Sequence, residues 1–251
     1  MEKTITENIT APDDAIFYLD DGKGFVSLVE YNGNDLSPVN AARASFGKRK
    51  TEFDEKDSKL LKFLIENDHS SPLEMTYLQF LIKAPLYIST QHLRHRISSF
   101  NFTSYRYTEL KEEMDFYTPK DWRKQSKSNK QGSSEEIVNL EEVINSIYDS
   151  SNLKSALEEN LKQTYHLYKT LLVSGVSREL ARGILPQCTY TTYYWGCNLR
   201  SFLHFLDLRD KPDAQLEIQK LAKAMKKLVK PIFPETFKHW SKAKKSLNKE
   251  L

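Results

Sequence analysis

The sequence predicts an α+β fold: a single domain with a small, mostly antiparallel sheet packed by long helices. Three observations carry this. FVSLVEY (25–31) and MTYLQFLIK (75–83) have strand periodicity, and CTYTTYYWG (188–196) is rich in aromatic and β-branched residues. Helical apolar spacings alternate with them, the longest at Ala214, Ile218, Leu221, Met225 and Leu228. No repeat and no linker-like segment divides the chain, so few strands among long helices make one domain over 1–251.

In chain order, residues 1–14 read as a loose, polar lead-in. Residues 25–31 form a strand and PVNAARASFGK (38–48) a short helix. Leu60, Leu61, Phe63 and Leu64 mark a helix between Asp54 and Asp68. SPLE (71–74) has the form of a capping box, with Ser71 as N-cap, Pro72 in the first helical position and Glu74 at its third. In 75–83, Leu78, Phe80 and Ile82 share one strand face. Pro85 can then open a helix reaching about Arg96. TPKDWRKQSKSNKQGSS (118–134) has no packing pattern and reads as an exposed loop. Helical spacing resumes at Ile137, Leu140, Ile144 and Ile147, again at Leu157, Leu161, Tyr168 and Leu171, and finally from Asp213.

The 251 residues are 39% hydrophobic and 28% charged, the balance of a soluble globular chain with a sizeable core. A net charge of +3 gives no basis for a general affinity for nucleic acid or membranes. No apolar run is long enough to span a bilayer, and MEKTITENITAPDD lacks the apolar core of a secretion signal. The two cysteines, Cys188 and Cys197, form neither a zinc spacing nor a disulfide framework, which points to a reducing cytoplasm. The histidines show no HExxH or His/Cys cluster, so no metal is expected. GxGxxG, P-loop and GxSxG patterns are also absent.

The most informative stretch is RHRISSFNFTS (94–104), which runs on into Tyr105, Arg106 and Tyr107. Three adjacent cationic or protonatable residues cannot form one solvated stripe on a helix. They fit best where anionic groups converge, because guanidinium offers planar paired donors to phosphate. If 87–96 is helical, Gln91, Arg94 and His95 share one side, a donor-rich wall that could equally be a solvated basic helix end. Asn101, Ser104 and Arg106 favour an anion site. A second group, Asn198, Arg200, His204 and Arg209, lies in CNLRSFLHFLDLR. A lone histidine on such a helix is more often a core or boundary residue, a reading that Asn198 and Arg200 weaken. Arg182 stands in the apolar stretch ARGILP, where a cation is either partnered or reaches into a cleft.

These segments resemble one family. Arg94-His95-Arg96, seven residues and then Ser104 is similar to the signature of the flavin-dependent thymidylate synthases. NAARASFG (40–47), DHSSPLEM (68–75), KAPLYISTQHLRHR (83–96), RELARGILP (178–186) and NLRSFLHFLDLR (198–209) resemble further family blocks in the same order. The resemblance implies a homotetrameric enzyme with shared active sites that converts dUMP to dTMP. Methylenetetrahydrofolate would supply the carbon, FAD would carry the hydride and NADPH would re-reduce the flavin. By position, FAD contacts fall on Ser71, Arg94, His95, Arg96, Asn198, Arg200 and His204. Nucleotide contacts fall on Gln91, Arg94, Ser104, Arg106, Arg182 and Arg209, with Arg209 the catalytic position. A guanidinium against the uracil edge would leave C5 nucleophilic without an enzyme thiol. Phe102 departs from the family, which commonly carries Glu or Gln there. That departure keeps open a non-catalytic flavin- or nucleotide-binding homologue. RNA binding through the arginines and tyrosines is opposed by the near-balanced charge and the lack of RRM or KH motifs.

Overall fold

The structure, a computed structural model, describes residues 9–111, 115–130, 132–143 and 152–247. Its centre is an antiparallel sheet of five strands in the order β1-β2-β3-β7-β4: β1 (Ile16–Phe17), β2 (Phe25–Asn32), β3 (Tyr77–Pro85), β4 (Ser99–Phe102) and β7 (Tyr190–Cys197). The predicted α+β class holds. The three predicted strands lie side by side in the sheet, with β3 central and Phe80 opposite Trp195. Leu78, Phe80 and Ile82 are fully buried, as their period of two requires. Phe80 stacks between Trp195 and Phe202 at 5.6 and 5.5 Å. Each such buried ring contributes about 1.5–3 kcal/mol through apolar area.

The helices are α1 (Leu36–Arg43), α2 (Glu55–Glu66), α3 (Leu86–His92), α4 (Leu153–Val173), α5 (Arg178–Ala181), α6 (Leu199–Arg209), α7 (Leu216–Val229) and α8 (Pro234–Leu247). Helices α4 and α5 build a second apolar cluster with Leu110 and Phe116, separate from the core around the sheet. Among the described residues, no helix is long and apolar enough to cross a membrane. Two of them place the site. Helix α3 leaves β3 at the Pro85–Tyr190 end of the β3–β7 pair, whereas α6 leaves β7 at the Leu78–Cys197 end. They run towards each other, and their C-terminal turns meet. The start of α6 is fixed twice: Asn198 Oδ1 accepts from Ser201 N at 2.9 Å, and Leu199 N donates to Thr76 Oγ1 at 2.9 Å. Phe202 and Phe205 then anchor α6 on the sheet.

Several local expectations are corrected. The helix from Pro85 stops at His92, not near Arg96, because a 3-10-like turn and then β4 follow. SPLE is a short 3-10 turn without a side-chain cap, and Glu74 pairs with Arg200 instead. The 118–134 segment is exposed but not structureless: β5 (Arg123–Gln125) and β6 (Ser133–Ile137) pair antiparallel. Ile137 therefore ends a strand instead of starting a helix, while Ile144 and Ile147 lie outside the described residues. So does much of the polar lead-in; its remainder, 9–14, contains no helix or strand. Helix α8 and the short strands β1 and β4 carried no sequence expectation.

Candidate functional site

A pocket of about 680 Å³ opens where the end of α2, the turn after α3, α6 and α8 converge. Its basic side chains come from three stretches: Arg94, His95 and Arg96 from the turn after α3, Arg200, His204 and Arg209 along α6, and Lys244 on α8. On α6, Arg200, His204 and Leu208 recur every fourth residue, so one helical stripe faces the pocket. Ile65, Leu203 and Leu208 add apolar wall. The two motif groups found separately in the sequence thus share one cavity. They do so across the sheet and not along one helix face, since α3 has ended before Arg94.

Arg209 is the inner cation. Its Nε donates to His95 Nε2 at 3.2 Å and its Nη2 donates to the carbonyl of Gln91 at 3.2 Å. That carbonyl lies in the last turn of α3, where main-chain oxygens lack intrahelical donors and attract positive charge. Burial, then Arg209 and then His204 push the His95 imidazole down to about 4. The ring is therefore neutral at physiological pH and accepts at Nε2, which puts its proton on Nδ1. Burial, followed by the like charge of Arg94, also lowers the proton affinity of Arg209. Beneath the site, His92 is buried against Trp195, Phe205 and Tyr193, with Nδ1 2.9 Å from the Tyr193 hydroxyl. Burial holds its affinity for a proton well below the ordinary imidazole range.

The other predicted residues are not all here. Ser71 is exposed on the 3-10 turn and does not line the pocket; its neighbour Ser70 does. Asn198 commits its carbonyl oxygen to the cap of α6. Gln91 reaches Arg209 through its main chain, while its side chain bonds to Gln215. Ser104, Arg106 and Arg182 lie outside the pocket. Arg106 Nη2 is 3.4 Å from Glu179 Oε2, Arg182 Nε donates to the Glu179 carbonyl at 3.4 Å, and Ser104 Oγ accepts from Arg106 N at 3.4 Å. Phe102 stacks on Tyr193 at 4.4 Å and packs against the main core.

Sequence reasoning missed the pocket's acidic and C-terminal walls. Glu66 ends α2 and Asp68 follows it, in the left-handed conformation (φ 53°) that closes the helix. Asp207 accepts from Trp240 Nε1 at 3.1 Å and pairs with Lys244 at 2.8 Å, joining α6 to α8. The Phe237–Trp240 spacing after Pro234 was the available signal for α8. Neither cysteine lines the pocket; burial raises both thiols, Cys197 well above its ordinary range. Among the described residues no group of His, Cys, Asp and Glu could hold a metal ion.

Known proteins match this chain over most of its length. The family model described as thymidylate synthase complementing protein matches residues 27–235. A flavin-dependent thymidylate synthase of Kosmotoga olearia is 42% identical over 219 residues, covering 86% of this chain and 89% of that protein. One from Thermus thermophilus is 40% identical over 212 residues, covering 84% and 73%. A solved structure of the UMP/dUMP methylase PolB from Streptomyces cacaoi, bound with 5-Br UMP, is similar at a TM-score of 0.72. It has 29% sequence identity, with 88% of this chain and 95% of that chain covered.

Proposed function

The chain belongs to the flavin-dependent thymidylate synthase family, and on that premise we propose that it methylates dUMP reductively to dTMP. The carbon comes from methylenetetrahydrofolate, the hydride carrier is FAD and the reductant is NADPH. The carrying observation is Arg209, held by a neutral imidazole and a helix-end carbonyl inside a pocket that contains no thiol.

Methylation at C5 of uracil needs electron density on that carbon. A cysteine nucleophile could supply it by attacking C6, but both thiols here lie away from the pocket with raised proton affinities. Arg209 offers another route. Of its five N–H donors, one goes to His95 and one to Gln91, leaving three for a ligand. A guanidinium against the uracil edge stabilises negative charge at N3 and the carbonyl oxygens, so C5 becomes the nucleophile. Because His95 accepts without charge, it orients the guanidinium and leaves its positive field intact.

The donor set fits a flavin dinucleotide. Arg94, Arg96 and Arg200 at the mouth suit pyrophosphate oxygens, with His95 and His204 beside them and Ile65, Leu203 and Leu208 offering apolar contact. Ser71 and Asn198 do not line the pocket and are kept as flavin contacts through the family resemblance alone. When bound, the flavin supplies the hydride that completes the methyl group. Arg94 and Arg209, with Gln91, face the nucleotide in this reading. Arg106 and Arg182 meet at Glu179 outside the pocket, with Ser104 bonded to Arg106, which supports a homotetramer whose sites are completed by a second subunit. The exposed Leu167, Val173 and Leu180 on α4 and α5 support an intersubunit surface there.

The test is direct. Purified protein is examined for flavin absorption and then assayed with dUMP, methylenetetrahydrofolate and NADPH. dTMP formation is expected. Bound flavin without dTMP would leave a non-catalytic flavin-binding homologue. Sedimentation gives the oligomeric state, expected to be a tetramer.

A further inference from the structure

A run of hydrogen bonds links the exposed hairpin to Gln91, the residue whose main-chain carbonyl holds Arg209 of the pocket. Arg123 Nη2, at the start of β5, pairs with Glu217 Oε1 at 2.7 Å, and the Glu217 side chain is only 3% exposed. The other oxygen of Glu217 accepts from Gln215 Nε2 at 2.9 Å. Gln215 Oε1 in turn accepts from Gln91 Nε2 at 2.5 Å, and the main-chain carbonyl of Gln91 holds Arg209. These bonds have a direction. A carboxylate only accepts, so Gln215 must turn its NH₂ group towards Glu217 and its oxygen towards Gln91. Gln91 must then spend an N–H on Gln215. Among the described residues no donor takes the Oε1 atom of Gln91.

Resting on the functional reading above, we propose that Glu217 and Gln215 are positioning residues. They fix the amide of Gln91 so that its carbonyl oxygen, not its NH₂, meets a donor of the pyrimidine nucleotide. The hairpin is the strut that holds Glu217 in place through Arg123. The donor read this way is a ring N–H or a sugar hydroxyl. The arrangement gives a function to the polar 118–134 segment, which otherwise packs little apolar surface. It also explains why a carboxylate is buried at the start of α7. An amide at position 217 could present either end to Gln215, so the polarity of the whole relay would be lost.

The experiment measures dUMP binding to flavin-loaded protein by calorimetry, with wild type first. Glu217→Gln, which keeps size and shape, is expected to weaken dUMP about tenfold, the scale of one lost or reversed hydrogen bond. Gln215→Leu, which interrupts the relay at a less buried point, is expected to do the same and stands in if Glu217→Gln does not fold. Flavin content should hold in both. In a Gln91→Leu background, neither substitution should weaken dUMP further, because the group they orient is gone. If both variants bind dUMP like wild type, or their effects multiply with that of Gln91→Leu, the relay does not position Gln91 and the inference fails. If wild type itself does not bind dUMP, the functional reading fails instead, and this inference with it.

Discussion

Arg209 donates through Nε to Nε2 of His95 at 3.2 Å, a contact that exists only while the imidazole is neutral. The cavity enforces this, since burial, Arg209 and His204 hold His95 down to about 4. The sign of the resulting pH dependence is fixed. Below the ordinary imidazole value of about 6.5, the unfolded chain takes up a proton that the folded chain refuses. The contribution of His95 to stability is therefore complete above about pH 6.5 and is lost as the pH falls towards about 4. The orientation of Arg209 is lost on the same side. An NMR titration of the His95 ring should show no protonation around neutral pH; a midpoint at the ordinary value contradicts the assignment.

Arg209→Lys keeps a positive charge but loses the planar fork that serves His95, Gln91 and a ligand together. Turnover should fall by roughly a hundredfold or more, the scale of removing one preorganised donor. Flavin reduction by NADPH, which needs no attack by C5, should change much less. Rapid-kinetic measurement of the two half-reactions separates these effects. Equal damage to both, or a higher KM with unchanged kcat, would make Arg209 a binding residue only.

Much of this arrangement was legible in the sequence because strand and helix periods are local. The period-two pattern of Leu78, Phe80 and Ile82 reports a face buried in the sheet, and the Arg-His-Arg and Asn-x-Arg-Ser blocks report residue types costly to leave without anionic partners. What was not legible is long-range. The helix after Pro85 stops at His92 because β4 pairs with β7, a partner about a hundred positions away in sequence. Asp35 carried no sequence expectation, yet it caps α8 across two hundred residues. The meeting of Arg106 and Arg182 at Glu179, away from the other motif residues, could not follow from spacing either.

Asp35 gives a test of how the C-terminal wall is built. Its buried carboxylate accepts from Glu235 N at 2.8 Å, Thr236 N at 2.9 Å and Thr236 Oγ1 at 2.6 Å, satisfying the first turn of α8. Asp35→Ala should cost about 2 kcal/mol or more, lowering Tm by roughly 4–8 °C for a domain of this size. Because α8 carries Trp240, Ala243 and Lys244 into the pocket, flavin retention should weaken as well. An unchanged melting curve by calorimetry would show that the cap contributes nothing.

Arg96 lies exposed at the mouth of the pocket, where its guanidinium is free to meet an anionic ligand and contributes little to the core. Arg96→Ala should weaken FAD retention at least tenfold, the scale of one charge-assisted contact, while assembly and fold persist. Flavin fluorescence after dilution measures the loss. Normal retention would remove Arg96 from the flavin site.

The central claim is thymidylate chemistry driven by Arg209 without an enzyme thiol. Its most direct test is single-turnover dTMP formation by the Cys188→Ser/Cys197→Ala protein, loaded with reduced flavin, dUMP and methylenetetrahydrofolate. Cys188 is half-buried and Cys197, the last residue of β7, is 4% exposed, so the substitutions should cost about 1–2 kcal/mol of stability. The account predicts dTMP at a rate close to that of wild type. A folded, flavin-loaded, cysteine-free protein that forms no dTMP would contradict it.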